Sequence, residues 1–390
     1  ASAIDKTLSD KTTGMSSVLS AFFAAVQTSS ANPSDVSARQ VLLTSAQTLS
    51  NRFNSISNQL NQQKESINGQ LSTMSDQVNQ LTASIASLNK QITQVQGSSN
   101  SAPANLLDAR NEAVRSLNEL VGVTASEKNG VFSVSTGTGQ SLVLGDQSNT
   151  ISAVPSASDP SQYTIQLNAG GGTAIDLGNV LSGGSIGGLL RYRSDALMPA
   201  INDLGRIAIA TADTVNSQLG QGLDLNGDFG TSLFKDINSA AAIAQRSQGA
   251  AGNSVGSGNL NVSIKDSSKL STYDYKVTFT SGSNYTVMRS DGKAMGAFDT
   301  TTTPPPVIDG FTLALDGKGP VGAGDSFKVS PTANGATNIG TDLTDANKIA
   351  FAGPLLGEGS KTNQGTGTFT PPTLTLPIDI HGGADTAQLR

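Results

Sequence analysis

Residues 49–95 read LSNRFNSISNQLNQQKESINGQLSTMSDQVNQLTASIASLNKQITQV and place an apolar residue at alternating spacings of three and four. This spacing is typical of a helix that packs lengthwise against other helices. Only the region of Lys64 interrupts it, so the sequence predicts one continuous helix over residues 35–96, with a seam about 70 Å long. The seam residues are Leu49, Phe53, Ile56, Leu60, Ile67, Leu71, Met74, Val78, Leu81, Ile85, Leu88, Ile92 and Val95.

The outward positions of this helix are filled mostly by Ser, Asn, Gln and Thr. A coiled coil usually places Glu and Lys there, where they specify its partners. Because fixed charges are scarce, neighbouring elements must hold the helix by its apolar seam. The pattern indicates a rod-shaped structural element, which a compact enzyme rarely needs.

Composition limits the possible functions of this chain, whose 390 residues suffice for about two to four domains. A net charge of −6 provides no basic footprint for nucleic acid or an anionic membrane. The absence of Cys excludes disulfides, thiol nucleophiles and thiolate metal sites. No apolar run is long enough to span a bilayer, and residues 21–26 are too short and too deep in the chain for a signal peptide.

Apolar spacing predicts three further helices, over residues 2–28, 103–121 and 186–219. Asn32-Pro33 is interpreted as the cap and first residue of the long helix, with Asp35 in its first turn. The heptad seams of the first, long and last helices predict that they form one bundle in which Leu81 is buried.

Short alternating runs interrupt the helices twice. Between residues 123 and 184 the predicted strands are Val131–Val134, Leu142–Leu144, Tyr163–Leu167 and Ala174–Leu177. Between residues 258 and 332 they are Asn259–Ile264, Tyr273–Thr280, Tyr285–Arg289, Phe311–Leu315 and Ser326–Val329.

The predicted fold is α+β, elongated and multidomain, with a long-helix bundle stalk and two inserted or appended β-rich domains. The proposed boundaries are a helical stalk at 1–122 that returns at 185–250, a small β-rich insert domain at 123–184, a β-rich domain at 251–333 and an irregular Gly/Thr/Pro-rich segment at 334–390. One short helix is expected at 342–352.

Two segments, Gly252–Gly256 and Gly183–Gly187, match the G-x-S-x-G pattern of a hydrolase nucleophile. That motif needs a hydrophobic strand before it and a helix after it. The first has a polar approach and a strand after it, and the second follows only a weak strand. The single histidine, His381, lies in a Pro/Gly-rich tail. Chance matches in a chain rich in Gly and Ser are therefore the favoured explanation.

Two other segments resemble ligand-binding loops. Gly317–Gly322 matches G-x-G-x-x-G, but a strand follows where a dinucleotide site needs a helix, so a hairpin loop is expected. Asp224–Gly230 starts like a calcium loop, yet Phe229 and Lys235 stand where an EF-hand has Gly and Glu. Asx turns explain that loop without an ion, although ion binding stays open. We therefore predict no catalytic, cofactor-binding or metal-binding residue.

Several stretches, in the same order, resemble the family of flagellar hook-associated protein 1, the first junction protein between hook and filament. The most recognisable of them is Asn105–Val123. The others are Asn32–Gln40, Ser185–Arg193, Gly222–Gly227, Tyr273–Tyr275 and Gly324–Phe327. Together they cover roughly residues 15–350.

The resemblance implies a secreted, extracellular structural adaptor of the bacterial flagellum, exported without a cleaved signal peptide and without catalysis or cofactors. The implied partners are the flagellar hook protein, the second hook–filament junction protein, further copies in a full-length ring, and an export chaperone bound through a missing C-terminal region. No nucleic acid or membrane partner is expected.

Family members carry terminal helices that drive polymerisation, and neither is found here, so we expect an excised fragment that is monomeric in dilute solution. The alternative is an extracellular surface adhesin or secretion-apparatus tip protein with long polar-rich helices.

Overall fold

The longest helix, α2, spans Val36–Ser99 and contains 64 residues. At 1.5 Å per residue it is about 96 Å long. Lys64 lies inside it without a break, so the predicted continuous helix is confirmed. The computed structural model describes residues 14–99, 103–128, 131–170, 172–178 and 180–352.

The start of α2 differs from the prediction. The Asp35 carboxylate, not Asn32, caps the helix: its Oδ1 accepts hydrogen bonds from the backbone N–H of Ser37 (2.8 Å) and of Ala38 (3.4 Å). Asn32 instead closes the preceding helix, since its backbone N–H donates to Thr28 O at 3.2 Å. The two helices are so close in sequence that Asn32 and Asp35 each serve one end.

The chain forms two units, and α2 belongs to both. The first comprises residues 1–59 and 200–390, and the second comprises residues 60–199. Within the described residues no helix is long and apolar enough to cross a membrane. The α+β class predicted from the sequence is confirmed.

The three other predicted helices are found close to their predicted bounds, although residues 2–13 of the first lie outside the described part, and the structure adds two short helices, Ala240–Gln245 and Gly335–Asn338, that the pattern did not predict. The helices are α1 Met15–Ala31, α3 Ala104–Val121, α4 Gly184–Tyr192, α5 Met198–Leu219, α6 Ala240–Gln245 and α7 Gly335–Asn338. A π-helical segment, Arg193–Leu197, joins α4 to α5. In the region 342–352, where a short helix was expected, a 3₁₀ turn spans Ala346–Lys348, and another spans Ser267–Lys269.

In the first unit, α1, the beginning of α2 and α5 pack together. Phe23 of α1, Leu42 of α2 and Val215 of α5 line one cavity of about 380 Å³. The α5 backbone also approaches α7 closely, because a Cβ added at Gly335, the first residue of α7, would lie 2.3 Å from Gly205 O. The predicted bundle is therefore present in this unit.

The strands of the first unit form two antiparallel sheets, one in the order β12-β11-β10-β14-β8 and one that pairs β13 with β9. Their inward residues include Phe279, whose ring packs against Tyr285 at a tilt of 39° and against Phe327 edge to face. The strands are β8 Ser247–Gly249, β9 Leu260–Ile264, β10 Tyr275–Phe279, β11 Asn284–Arg289, β12 Ala294–Asp299, β13 Phe311–Leu315 and β14 Ser326–Val329.

The return of the stalk over 185–250 is only partly helical. The helix ends at Leu219, where the backbone N–H of Gly220 still bonds to Asn216 O (2.9 Å) and that of Gly222 to Leu219 O (3.0 Å). Beyond it, α6 is the only helix before residue 250 in this described stretch, and β8 belongs to the five-stranded sheet. Glycine at these turns ends the helical hydrogen-bond pattern.

The second unit contains two antiparallel meanders, β1-β2-β3-β4 and β5-β6-β7. The four predicted runs correspond to strands, but the sequence pattern missed β1, β4 and β5. Five of the six residues of β1 are exposed, so it carries no apolar alternation. The strands are β1 Val123–Lys128, β2 Val131–Thr136, β3 Ser141–Leu144, β4 Gln147–Ser148, β5 Thr150–Pro155, β6 Tyr163–Asn168 and β7 Ile175–Asp176.

A buried hydroxyl in the first unit gives a pH-dependent prediction. The Tyr285 hydroxyl is buried without a hydrogen-bond partner among the described residues, and burial, with the charge of Asp299, raises the tyrosine pKa from 10.0 to about 12. Because the pKa is higher in the folded state than in the unfolded state, the folded protein holds this proton more tightly. The resulting contribution to the free energy of unfolding is fully present below pH 10 and is lost between pH 10 and about 12.

Tyr285→Phe should therefore be at least as stable as the parent at neutral pH and should lose less stability in that alkaline window. Urea unfolding across the pH range measures this. The exposed Tyr273→Phe is the control. Identical alkaline behaviour of Tyr285→Phe and the parent would contradict the prediction.

Candidate functional site

The first G-x-S-x-G match is a loop, not a nucleophile elbow. In Gly252–Gly256 the backbone N–H of Ser254 donates to Asp325 Oδ1 at 2.7 Å, and Val255 is fully exposed. The Asn253 amide pairs with the backbone of Ser326 at 2.8 and 3.0 Å. His381 lies outside the described residues. These contacts fasten a loop to a strand.

The second match serves helix packing. Gly183 is the N-cap of α4. Gly122 follows α3, and a Cβ added at Gly122 would lie 2.8 Å from the Cα of Gly183. Ser185 Oγ donates to Glu119 O at 3.0 Å. The glycines therefore allow α3 and α4 to approach closely, and the serine hydroxyl is already engaged with the backbone.

The expectation of a hairpin at Gly317–Gly322 is wrong. The strands on either side, β13 and β14, belong to different sheets, so the loop is a connection between sheets. A Cβ at Gly319 would lie 2.1 Å from Gly256 O, which shows that the loop needs glycine to pass close to its neighbour. A strand, β14, follows the loop, as the sequence predicted.

The Asp224 loop is organised by Asx turns. Asp224 Oδ1 accepts hydrogen bonds from the backbone N–H of Asn226 (2.7 Å) and of Asp228 (3.0 Å). Burial opposes ionisation, but these backbone bonds hold the pKa of Asp224 below its ordinary value. Across the described ranges, no group of three or more His, Cys, Asp or Glu side chains could hold a metal ion.

The feature of α2 that the apolar pattern did not reveal is a row of asparagine bridges. In the second unit, Asn79 accepts from Ile151 N–H (2.8 Å) and donates to Ile151 O (2.9 Å). Asn68 accepts from Tyr163 N–H and donates to Ser161 O, both at 3.0 Å. A side-chain amide has one acceptor and two donors, so it can satisfy a strand backbone as a neighbouring strand would.

The row extends to both ends of the helix. Asn89 donates to Gly145 O at 2.7 Å in the second unit. In the first unit, Asn54 donates to Ala336 O (2.8 Å) and Ile339 O (3.1 Å). Each bridge fixes the position of one loop or strand along the helix.

These bridges shift the buried seam of α2. Up to Leu71 the predicted seam residues are buried, but Met74, Leu81, Leu88 and Val95 are only half-buried. In their place Ser75, Thr82 and Asn89 are buried beside Leu71, Val78, Ile85 and Ile92. Leu81 is therefore not the fully buried residue that the heptad pattern predicts. Ser75 and Thr82 donate their hydroxyl groups to carbonyls of α2 itself, and Asn89 donates to Gly145 O, so each of these buried polar side chains has a hydrogen-bond partner.

Comparison with known proteins gives the context. The family described as "Flagellar hook-associated protein FlgK helical domain" matches residues 1–234, and "Flagellar hook-associated protein 1, D2-like domain" matches residues 249–331. This chain belongs to the FlgK family. The family is a component of the flagellar hook–filament junction, so the resemblance seen in the sequence is confirmed.

Individual relatives agree. Flagellar hook-associated protein 1 of Escherichia coli K12 is 32% identical over all of this chain and 72% of that protein. Its counterpart in Salmonella typhimurium LT2 is 34% identical over 90% of this chain and 62% of that protein. The structure of the flagellar hook junction protein FlgK from Burkholderia pseudomallei has a TM-score of 0.83 and 35% identity, and covers 94% of this chain and 65% of that one.

The chain thus spans about two thirds of the length of these FlgK relatives. Nothing in these matches favours the adhesin or tip-protein alternative. They support a flagellar structural protein.

A single asparagine bridge can be tested directly. Asn79→Ala should lower the free energy of unfolding by about 2 kcal/mol, because it leaves the buried backbone groups of Ile151 without partners. The neighbouring Gln80 is exposed, so Gln80→Ala is the matched control and should change stability by less than about 0.5 kcal/mol. Urea denaturation measures both, and equal effects of the two variants would refute a specific role for the bridge.

Proposed function

We propose that this chain belongs to a subunit that joins the flagellar hook to the filament by subunit packing, without catalysis. The observation that carries the proposal is α2, an unbroken helix that belongs to both units and holds a loop or strand at each asparagine bridge. Such a helix suits a protein whose work is mechanical. Family membership provides the flagellar setting.

The mechanical argument rests on how the bridges resist sliding. Apolar contacts along a helix are non-directional, so they oppose separation more than displacement along the axis. The amide bonds of Asn68 and Asn79 are directional and fix the strands at one register. Under torque, the strands would therefore move with the helix.

The partners and location follow as parts of the same proposal. The full-length subunit would contact the flagellar hook protein, the second hook–filament junction protein and copies of itself in a ring. An export chaperone would bind outside this chain. The protein would act outside the cell, after export without a cleaved signal peptide, and would have no metal or cofactor. The predicted division into helical and β-rich domains stays part of the proposal.

The test is binding to hooks. Full-length protein mixed with purified hook fragments should appear in negative-stain images at hook ends, while this chain alone should remain a monomer by light scattering at about micromolar concentration, where weak interfaces dissociate. Failure of the full-length protein to bind hook ends would overturn the proposal. A stable oligomer of this chain would show that it carries its own assembly interface, contrary to the expected division of labour.

A further inference from the structure

A cavity of about 420 Å³ in the second unit contains a poorly satisfied buried cation. It lies between the C-terminal part of α2, α3 and the first strands. Arg110 of α3 lines it with an exposure of only 8%. Its guanidinium lies 3.8 Å above the ring centroid of Phe132, so one face of the cation is covered by an aromatic ring.

The hydrogen bonds of Arg110 are weak and few. Nη1 donates to Asn89 Oδ1 at 3.4 Å, and Nη2 lies 3.7 Å from Glu127 Oε2, beyond hydrogen-bond distance. Nε has no partner among the described residues. A guanidinium has five N–H donors, so most of them are unused here. Burial lowers the pKa of Arg110, as expected for a cation with incomplete compensation.

Another buried arginine shows what full satisfaction looks like. Arg246 is 4% exposed and donates to the backbone carbonyls of Val262 and Ile237 as well as to Asn238 Oδ1. It is therefore held entirely by the interior of its own unit. Arg110 differs because it lines a cavity and has N–H groups without hydrogen-bond partners among the described residues.

The surroundings favour a carboxylate carried by a protein. Lys90 also lines the cavity and has no ion pair among the described residues, which provides a second cation. Two apolar lining residues accompany the cations: Val131, which is 43% exposed, and Phe132, which covers the guanidinium of Arg110. Apolar residues around a desolvated charge are typical of a protein interface.

We infer that this cavity receives the carboxylate of an Asp or Glu side chain from a neighbouring subunit. The carboxylate bonds to Arg110 in the two-pronged geometry that guanidinium groups favour, with Lys90 at the entrance. Glu127, which is 54% exposed, is the internal carboxylate that the incoming group displaces. Asp146 also lines the cavity, but its Oδ1 already accepts a hydrogen bond from Gln147 at 3.2 Å. The identity of the donor as a subunit rests on the proposed function, whereas carboxylate binding does not.

The experiment uses small probes on the whole chain, so it is independent of hook binding. N-acetyl-glutamate methylamide is titrated while the arginine side-chain Nε–Hε resonances are followed by NMR, and the neutral N-acetyl-glutamine methylamide is the control. The Arg110 resonance should shift saturably at about millimolar glutamate probe, the range of a single weak contact, and should not shift with the glutamine probe.

Three variants decide the result. Arg110→Lys removes the reporting resonance, so binding is followed there by the side-chain amide resonances of Asn89, which lines the same cavity; it should weaken at least about tenfold, the effect of losing one charged hydrogen bond. Lys90→Gln should weaken it less, and Glu127→Gln should strengthen it because the competing carboxylate is removed. If Arg110→Lys does not fold, the other two variants still decide. An Arg110 resonance that does not respond, or a Glu127→Gln variant that binds no more tightly, would mean that Arg110 is a packing residue only.

Discussion

Ile85→Asp should unfold the second unit, with a loss of about 4 kcal/mol in the free energy of unfolding. Ile85 is fully buried on the inner face of α2. A carboxylate there has no cation to pair with on its own face, since the buried neighbours are Val78, Thr82, Ala86 and Asn89. Burial of an unpaired charge is among the few mechanisms that produce effects of this size.

The exposed Ser84→Asp is the matched control, since it introduces the same charge one residue away and should cost less than about 0.5 kcal/mol. Urea unfolding followed by circular dichroism measures both, and hydrogen exchange locates the loss to residues 60–199. If Ile85→Asp shifts the midpoint no more than Ser84→Asp, the assigned inner face of α2 is wrong.

The choice of Ile85 rather than Leu81 shows how far the apolar pattern reaches. Alternating spacings of three and four identify a helix and its length, because both follow from the local period. They do not identify the partner. An ideal helix drifts by about 20° per heptad from a strict seven-residue repeat, so a long seam cannot stay central against a straight neighbour. Here the drift brings Thr82 and Asn89 inward, where Asn89 donates to Gly145 O and the Thr82 hydroxyl donates to Asn79 O of its own helix.

The asparagine bridges could not be predicted for a related reason. Asn54, Asn68, Asn79 and Asn89 look like ordinary polar filler, and nothing local separates Asn79 from the exposed Gln80. Their role depends on which backbone groups arrive from 56 to 285 residues away. The strand β1 was missed because its side chains are exposed and its pairing with β2 supplies the stabilising contacts.

The capping pattern at the start of α2 was also a poor guide to its geometry. In the stretch around Asn32-Pro33, the sequence suggested a helix start and the structure assigns the cap to Asp35. What the pattern did not suggest is that Arg39, four residues on, joins this helix start to a segment about 310 residues away. A contact between residues so far apart in the sequence leaves no local pattern from which it could be predicted.

Arg39→Met should destabilise the first unit by about 3 kcal/mol. Arg39 is 1% exposed; its Nε donates to Pro33 O at 2.6 Å, and its Nη1 donates to Ala346 O at 3.3 Å and to Ile349 O. Met fills a similar volume but donates nothing, so Pro33 O and Ile349 O lose this donor at about 1–3 kcal/mol each, whereas Ala346 O still accepts from the backbone N–H of Ile349. Removal of the buried charge offsets part of this loss in the free energy of unfolding. Burial lowers the pKa of Arg39 and so disfavours its charged form.

The comparison with Arg115→Met separates this role from a general effect of losing an arginine. Arg115 is exposed on α3 and pairs with Glu112 and Glu119, and exposed pairs of this kind contribute little. Thermal unfolding should therefore show a clear loss for Arg39→Met and almost none for Arg115→Met. Hydrogen exchange should rise at residues 346–349 in Arg39→Met, because the backbone there has lost its tie to α2. Equal melting of the two variants would show that the helix start and the 346–349 segment are held together without Arg39, and that apolar packing around Phe351 and Leu42 is sufficient.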